Sequence, residues 1–160
     1  AGQAPVAATG KPSKNALEFI PDPGVPLMEQ NQTFLLIDES FAGDADAPYK
    51  KSLKNDHMGK YIELSFLSPM AGLRKKDKIE EICKKCGHRM KISESYNQNK
   101  LQSEIMSLCA REGVSLSKNP AWLPQKSCMR IKVAGVLSED KIESLKEAFY
   151  ALSACQLEIV

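Results

Sequence analysis

Two cysteines separated by two residues, Cys83-Lys84-Lys85-Cys86, followed by Gly87 and His88, are the side chains of this chain best suited to chemistry. A C-x-x-C pair can bind zinc or exchange disulfides, because the thiolate is both a strong ligand and a strong nucleophile. A structural zinc site needs four ligands, and neither a second C-x-x-C nor a closely spaced histidine pair follows; Cys109, Cys128, His57 and His88 are scattered. Redox work favours a pair at the start of a helix, where the dipole stabilises a thiolate, whereas the spacing here puts the pair at a helix end. The same spacing places Ile79, Ile82, Cys83 and Cys86 on one apolar stripe. Buried cysteines pack as small hydrophobes, so core packing is the expected role, with no metal or cofactor assigned. A zinc or thiol-redox role for Cys83 and Cys86 is the alternative.

The densest positive charge runs through Arg74, Lys75, Lys76 and Lys78 and continues to Lys84, Lys85, Arg89 and Lys91. On a helix such a run decorates a solvent face. RNA binding on a small sheet would want exposed aromatics on the central strands, and Met129-Arg130-Ile131-Lys132-Val133 has none. Nucleic acid is therefore a third choice of partner. Asp38-Glu39, after the apolar run at residues 33–37, is placed where carboxylates at a strand's carboxyl end do catalysis, and it is equally a turn signal. With two histidines, no nucleophile, base and acid set can be assembled, and no phosphate-binding glycine loop is present.

The elements that must position these groups follow from pattern. Residues 1–32 carry Pro5, Pro12, Pro21, Pro23 and Pro26, and read as an extended arm. Residues 33–37 read as a first strand, 47–56 as a short helix with Pro48 at its first position, and 60–66 as a half-buried strand. A helix over 73–86 ends at Gly87, where a left-handed cap is wanted. Then come a strand at 88–92, a helix at 96–112 ending before Gly113, a brief strand at 114–117, a loop at 119–125 and a strand at 128–134. Ser138-Glu139-Asp140 opens a helix whose stripe is Ile142, Leu145, Phe149 and Leu152, and 156–160 closes the chain as a strand. No long repeat is visible. The order strand, helix, strand, strand, helix, strand over about 88–160 is the split βαβ or ferredoxin-like pattern. The fold class is therefore α+β, an arm at 1–32 followed by a domain at 33–160.

Residues 101–152, with a helix ending at Gly113, Val114-Ser115-Leu116, a Pro-containing loop, Met129-Arg130-Ile131-Lys132-Val133 and Ser138-Glu139-Asp140 opening a helix, resemble the C-terminal small domain of class II pyridoxal-phosphate enzymes, the α-oxoamine synthases among them. Ile37-Asp38-Glu39-Ser40 is similar to that family's D-E-S turn, whose aspartate meets the cofactor's pyridine nitrogen. No segment matches the family's cofactor lysine, and too few residues separate the two pieces to hold its large domain. The resemblance thus implies a non-catalytic relative or fragment, without bound cofactor.

Charge is uneven: residues 1–72 hold 6 Lys/Arg against 9 Asp/Glu, and residues 73–160 hold 16 against 11. The second half is only weakly basic, too little for a committed nucleic-acid binder. No apolar run reaches the length of a membrane span. Five cysteines at irregular spacing suggest a reducing compartment rather than a disulfide framework. The first seventeen residues contain no acid and are rich in small residues, which suggests a position just past an organellar processing site, mitochondrial or plastid, with the cytoplasm as the alternative. The resulting expectation is a non-catalytic accessory subunit of a larger protein assembly. Its docking residues would be Pro21, Pro23 and Pro26 on the arm, with Arg74, Lys75, Lys76 and Lys78.

Overall fold

The computed structural model describes residues 15–160, which divide into two compact units, 15–96 and 97–160. The fold is mixed α+β, built on two small sheets.

In the first unit a 3₁₀ turn, Asn15–Leu17, leads into β1 (Glu18–Phe19), followed by α1 (Gln30–Ser40), β2 (Lys50–Asp56), β3 (Gly59–Ser65), α2 (Pro69–Leu73), α3 (Lys76–Cys86) and β4 (Arg89–Ile92). The sheet order is β1-β4-β3-β2, with β3 and β4 parallel and the other pairs antiparallel. Phe19, Ile62, Leu64, Met90 and Ile92 are buried with Ile37 and Phe41 from the α1 region and with Ile79, Ile82, Cys83 and Cys86 from α3. The alternation along the strands puts Glu18, Lys54, Tyr61, Glu63, Arg89 and Lys91 on the opposite face, in mutual register.

Several elements of this unit differ from expectation: β1 pairs with β4 and α1 begins at Gln30, both inside the stretch 1–32 read as an extended arm, and α2 precedes the helix expected at 73–86. Residues 33–37 are helical: the Glu29 carboxylate caps α1 by accepting from Asn31 N at 2.9 Å and Gln32 N at 3.2 Å. Thr33 and Ile37, one turn apart, face the core. Residues 50–56 are a strand rather than a helix, although KKSLKND has little β-propensity. The hairpin turn decides this, because Asp56 Oδ1 accepts from Met58 N at 2.9 Å, Gly59 takes φ +110°, and seven residues then pair with β3.

The second unit comprises α4 (Gln98–Arg111), β5 (Ala121–Leu123), β6 (Cys128–Ile131), α5 (Glu139–Ser153) and β7 (Gln156–Ile159), with sheet order β5-β6-β7. Ser138 caps α5 as expected. Leu101, Ile105, Leu108, Met129, Ile131, Leu145, Phe149 and Leu157 are buried. The loop expected at 119–125 contains β5, and residues 114–117 contribute only a bridge between Leu116 and Val133.

The strand at 88–92 does not join this sheet. It pairs with β3 and β1, while β6 and β7 pair directly with each other, so the four strands read as one sheet do not share one. The reason is connection length: α3 returns the chain to β3's own edge before α4 begins. An order absent from the sequence pattern emerges instead. Helix, antiparallel hairpin, crossover helix and parallel strand occur twice, as α1-β2-β3-α3-β4, with the short α2 inserted before α3, and as α4-β5-β6-α5-β7.

Candidate functional site

The C-x-x-C pair forms the last turn of α3, and Gly87 caps it at φ +72°. Both thiols converge on one carbonyl: Cys83 Sγ lies 3.2 Å and Cys86 Sγ 4.0 Å from His88 O, and His88 N donates to Cys86 Sγ at 3.4 Å. Cys83 is 2% exposed and Cys86 is fully buried. Burial above all, reinforced by the neighbouring thiol, pushes Cys83 up to about 12, and burial also raises Cys86. These thiols stay protonated near neutral pH. The His88 ring turns elsewhere. Its Nε2 lies 2.7 Å from Met28 O, and a carbonyl only accepts, so Nε2 carries the hydrogen. Among the described residues no group of three or more His, Cys, Asp or Glu side chains could hold a metal ion.

That histidine locates the more informative feature. Leu17 and Phe19 are buried in the first core, after which the chain leaves as a loop at residues 20–27. Val25 N donates to Asp22 O at 3.4 Å across Pro23-Gly24, and Gly24 takes φ +85°, the pattern of a type II turn with proline second and glycine third. The chain returns where Met28 N donates to Cys86 O at 2.8 Å and Met28 O accepts from His88. The loop is thus pinned at both ends and stiffened by Pro21, Pro23 and Pro26, of which Pro21 is half-buried and the other two exposed. Its apolar side chains face solvent, with Ile20 64% and Leu27 70% exposed. Beside it runs a groove of about 360 Å³ lined by Phe19, Ile20, Asp22, Lys76, Glu80 and Lys84.

The basic run is not a single patch. Lys75 Nζ pairs with Asp44 at 2.9 Å, and Lys78 Nζ pairs with the same carboxylate at 3.3 Å while lying 4.9 Å over the Phe41 ring. The Lys75 hydrogen bond, then the Asp46 amide, hold Asp44 down to about 2. Arg74 joins α2 to α3, and Lys76 borders the groove beside the loop. Of the seven expected docking residues, the structure therefore gathers Pro21, Pro23, Pro26 and Lys76 in one region and ties Lys75 and Lys78 to the 44–46 turn.

On the open face of the first sheet Arg89 grips Asp56 with two bonds, at 2.6 and 3.2 Å, and also reaches Glu18 at 3.2 Å and Gly59 O at 3.0 Å. Lys91 joins Asp56 at 2.9 Å and lies 4.5 Å over the Tyr61 ring. Hydrogen bonds from Arg89 and then Lys91 hold the Asp56 carboxyl well below the usual carboxylate range. These cations are already matched by carboxylates, and the one aromatic among them is engaged by cations. Asp38 and Glu39 lie not after a strand but in the last turn of α1, with Asp38 paired to Lys51 at 2.8 Å.

A scan against protein-family models gives no match, and a search of curated proteins gives none. Among the described residues no helix is long and apolar enough to cross a membrane. The residues that sequence reasoning missed are Ile20, Leu27 and the His88–Met28 pin. Asp22-Pro23-Gly24-Val25 is a turn signal legible in the sequence, but what anchors the chain after it lies 60 residues further on, just past the end of α3.

Proposed function

We propose that this chain is a non-catalytic accessory subunit of a protein assembly, docking through the loop at residues 20–27 and the groove beside it. The observation that carries this reading is a proline-stiffened loop, hydrogen-bonded at its return, that holds Ile20 and Leu27 in water. Exposing large apolar side chains costs free energy that burial against a partner returns, about 1.5–3 kcal/mol each. A segment already ordered loses little further entropy on association, which is where flexible contacts lose most of their affinity. The loop thus has the properties of a preformed docking element rather than of a tail that folds on binding.

At the level of layout, helix, hairpin, crossover helix and closing strand in residues 98–159 support a relation to the ferredoxin-like plan in element order, with the strand that plan would insert between β6 and β7 carried in the other sheet. The same order is compatible with the small-domain likeness to class II pyridoxal-phosphate enzymes, under which the chain is a non-catalytic relative. The absence of acids from residues 1–17 supports an organellar setting, which imaging of the fluorescently tagged protein in cells would test.

The docking reading is tested by replacing Ile20 and Leu27 with serine and comparing native pull-downs of both proteins by quantitative mass spectrometry. Partners recovered with the unaltered chain should be lost, while the melting temperature stays within about 3 °C, as for changes at exposed positions. Retention of the same partners at the same yield would refute it.

A further inference from the structure

The second sheet ends on β7, whose far side pairs with no strand among the described residues. Val160 N donates to Ile131 O, and Val160 O accepts from Val133 N, which together with the parallel register points the backbone of 156, 158 and 160 toward β6. The N–H and C=O groups of Leu157 and Ile159 therefore point outward. Such an edge is a template for another strand unless it is guarded. The first sheet guards its edges: β2 carries Lys50, Lys51 and Lys54, and β1 is two residues long. In Gln156–Ile159 there is neither lysine nor proline.

An open cleft of about 450 Å³ borders β7, lined by Lys126, Cys128, Lys146, Leu157, Glu158 and Ile159 among others. Glu158 is already held by Arg130 at 2.5 Å and Lys126 at 3.2 Å, and Lys146 has no ion-pair partner among the described residues. Two lysines against one carboxylate line the cleft, and Arg130 of β6 also engages that carboxylate, which leaves the cleft locally positive. A second copy would suit it poorly, since twofold antiparallel pairing through Leu157 and Ile159 sets Glu158 opposite Glu158 and doubles the surrounding cations. We propose that the β7 edge binds an extended acidic peptide segment of a partner by strand addition, with backbone bonds to Leu157 and Ile159 and carboxylates placed near Lys126 and Lys146.

The experiment uses the full chain and a fluorescent peptide of about seven residues, roughly a strand's length, alternating valine and glutamate. Its controls are a lysine-for-glutamate version and a version N-methylated at alternate positions, which keeps the charge but cannot pair. The glutamate peptide should bind saturably below about 1 mM, slow hydrogen exchange at the Leu157 and Ile159 amides, and weaken at least tenfold with Lys146→Glu. Neither control should bind. Absence of binding, or binding that survives N-methylation or charge reversal, overturns the proposal. So does protection of the two amides without peptide in a protein that sediments as a dimer, because a second copy then covers the edge.

Discussion

Replacing Gly87 with alanine tests whether the end of α3 and the loop at 20–28 form one structural unit. Gly87 has φ +72°, and a Cβ added there would lie 2.6 Å from Pro26 O and 3.1 Å from Val25 O, both backbone atoms that cannot swing aside as a side chain would. The left-handed conformation by itself costs an L-residue about 1–2 kcal/mol. Relieving the clash means moving residues 25–28 away, which gives up the bond from Met28 N to Cys86 O at 2.8 Å and that from His88 to Met28 O at 2.7 Å. At about 1 kcal/mol net for each hydrogen bond, Gly87→Ala should cost about 3–4 kcal/mol. Gly43 provides the control in the same unit: its φ is +76°, and a Cβ added there would meet no atom within 4 Å. Gly43→Ala should therefore cost only the conformational part, about 1–2 kcal/mol. Urea denaturation followed by far-ultraviolet circular dichroism measures both, and hydrogen exchange at the Met28 amide reports the loop directly. If Gly87→Ala costs no more than Gly43→Ala, or if Met28 stays as protected as before, the loop is not held by the helix end and the reasoning fails.

Phe149→Ala should cost about 3–5 kcal/mol, as for a fully buried aromatic, whereas Lys146→Ala on the exposed side of α5 should stay within about 0.5 kcal/mol; denaturation followed by Trp122 fluorescence separates them, and equal costs would mean that the helix face is misassigned. Phe19→Ala should destabilise the first unit by about 3–5 kcal/mol, because β1 supplies a buried side chain to that core; an unchanged denaturation midpoint would return residues 18–19 to the status of a detachable arm. Asp44, ordinarily near 3.8 and held near 2 in the fold, stabilises the protein above about pH 4 and loses that contribution as pH falls toward 2. Asp44→Asn should accordingly give a shallower fall in denaturation midpoint over that range, and identical slopes for the two proteins would contradict the ion-pair reading.

The helices from α3 onward were legible because each has its own local evidence. Ile79, Ile82, Cys83 and Cys86 recur at helical spacing, Gly87 supplies the left-handed cap, and Ser138 offers its hydroxyl to the amide of Lys141. The strand at 59–65 was legible from its alternation. The packing role expected for the cysteine pair came from the same stripe, and both thiols lie in the first core.

What the tertiary structure alone decided concerns pairing. The run at 33–37 is apolar on every side, so its period could not distinguish a buried strand from a buried helix. Glu29 caps it locally as a helix, and burial of Thr33 and Ile37 one turn apart in the first core settles which face points inward. The lysine-rich stretch at 50–56 is a strand because the turn at Asp56–Gly59 folds it back onto β3, not because of its composition. Residues 88–92 carry a correct strand pattern, yet a strand pattern says which residues alternate and is silent about which neighbour they join. That choice set the first sheet, opened the β7 edge, and placed Gly87 against Pro26, far earlier in the chain. Local pattern is written in the order of the residues, whereas register and docking depend on contacts between segments far apart, and no short stretch of sequence carries that information.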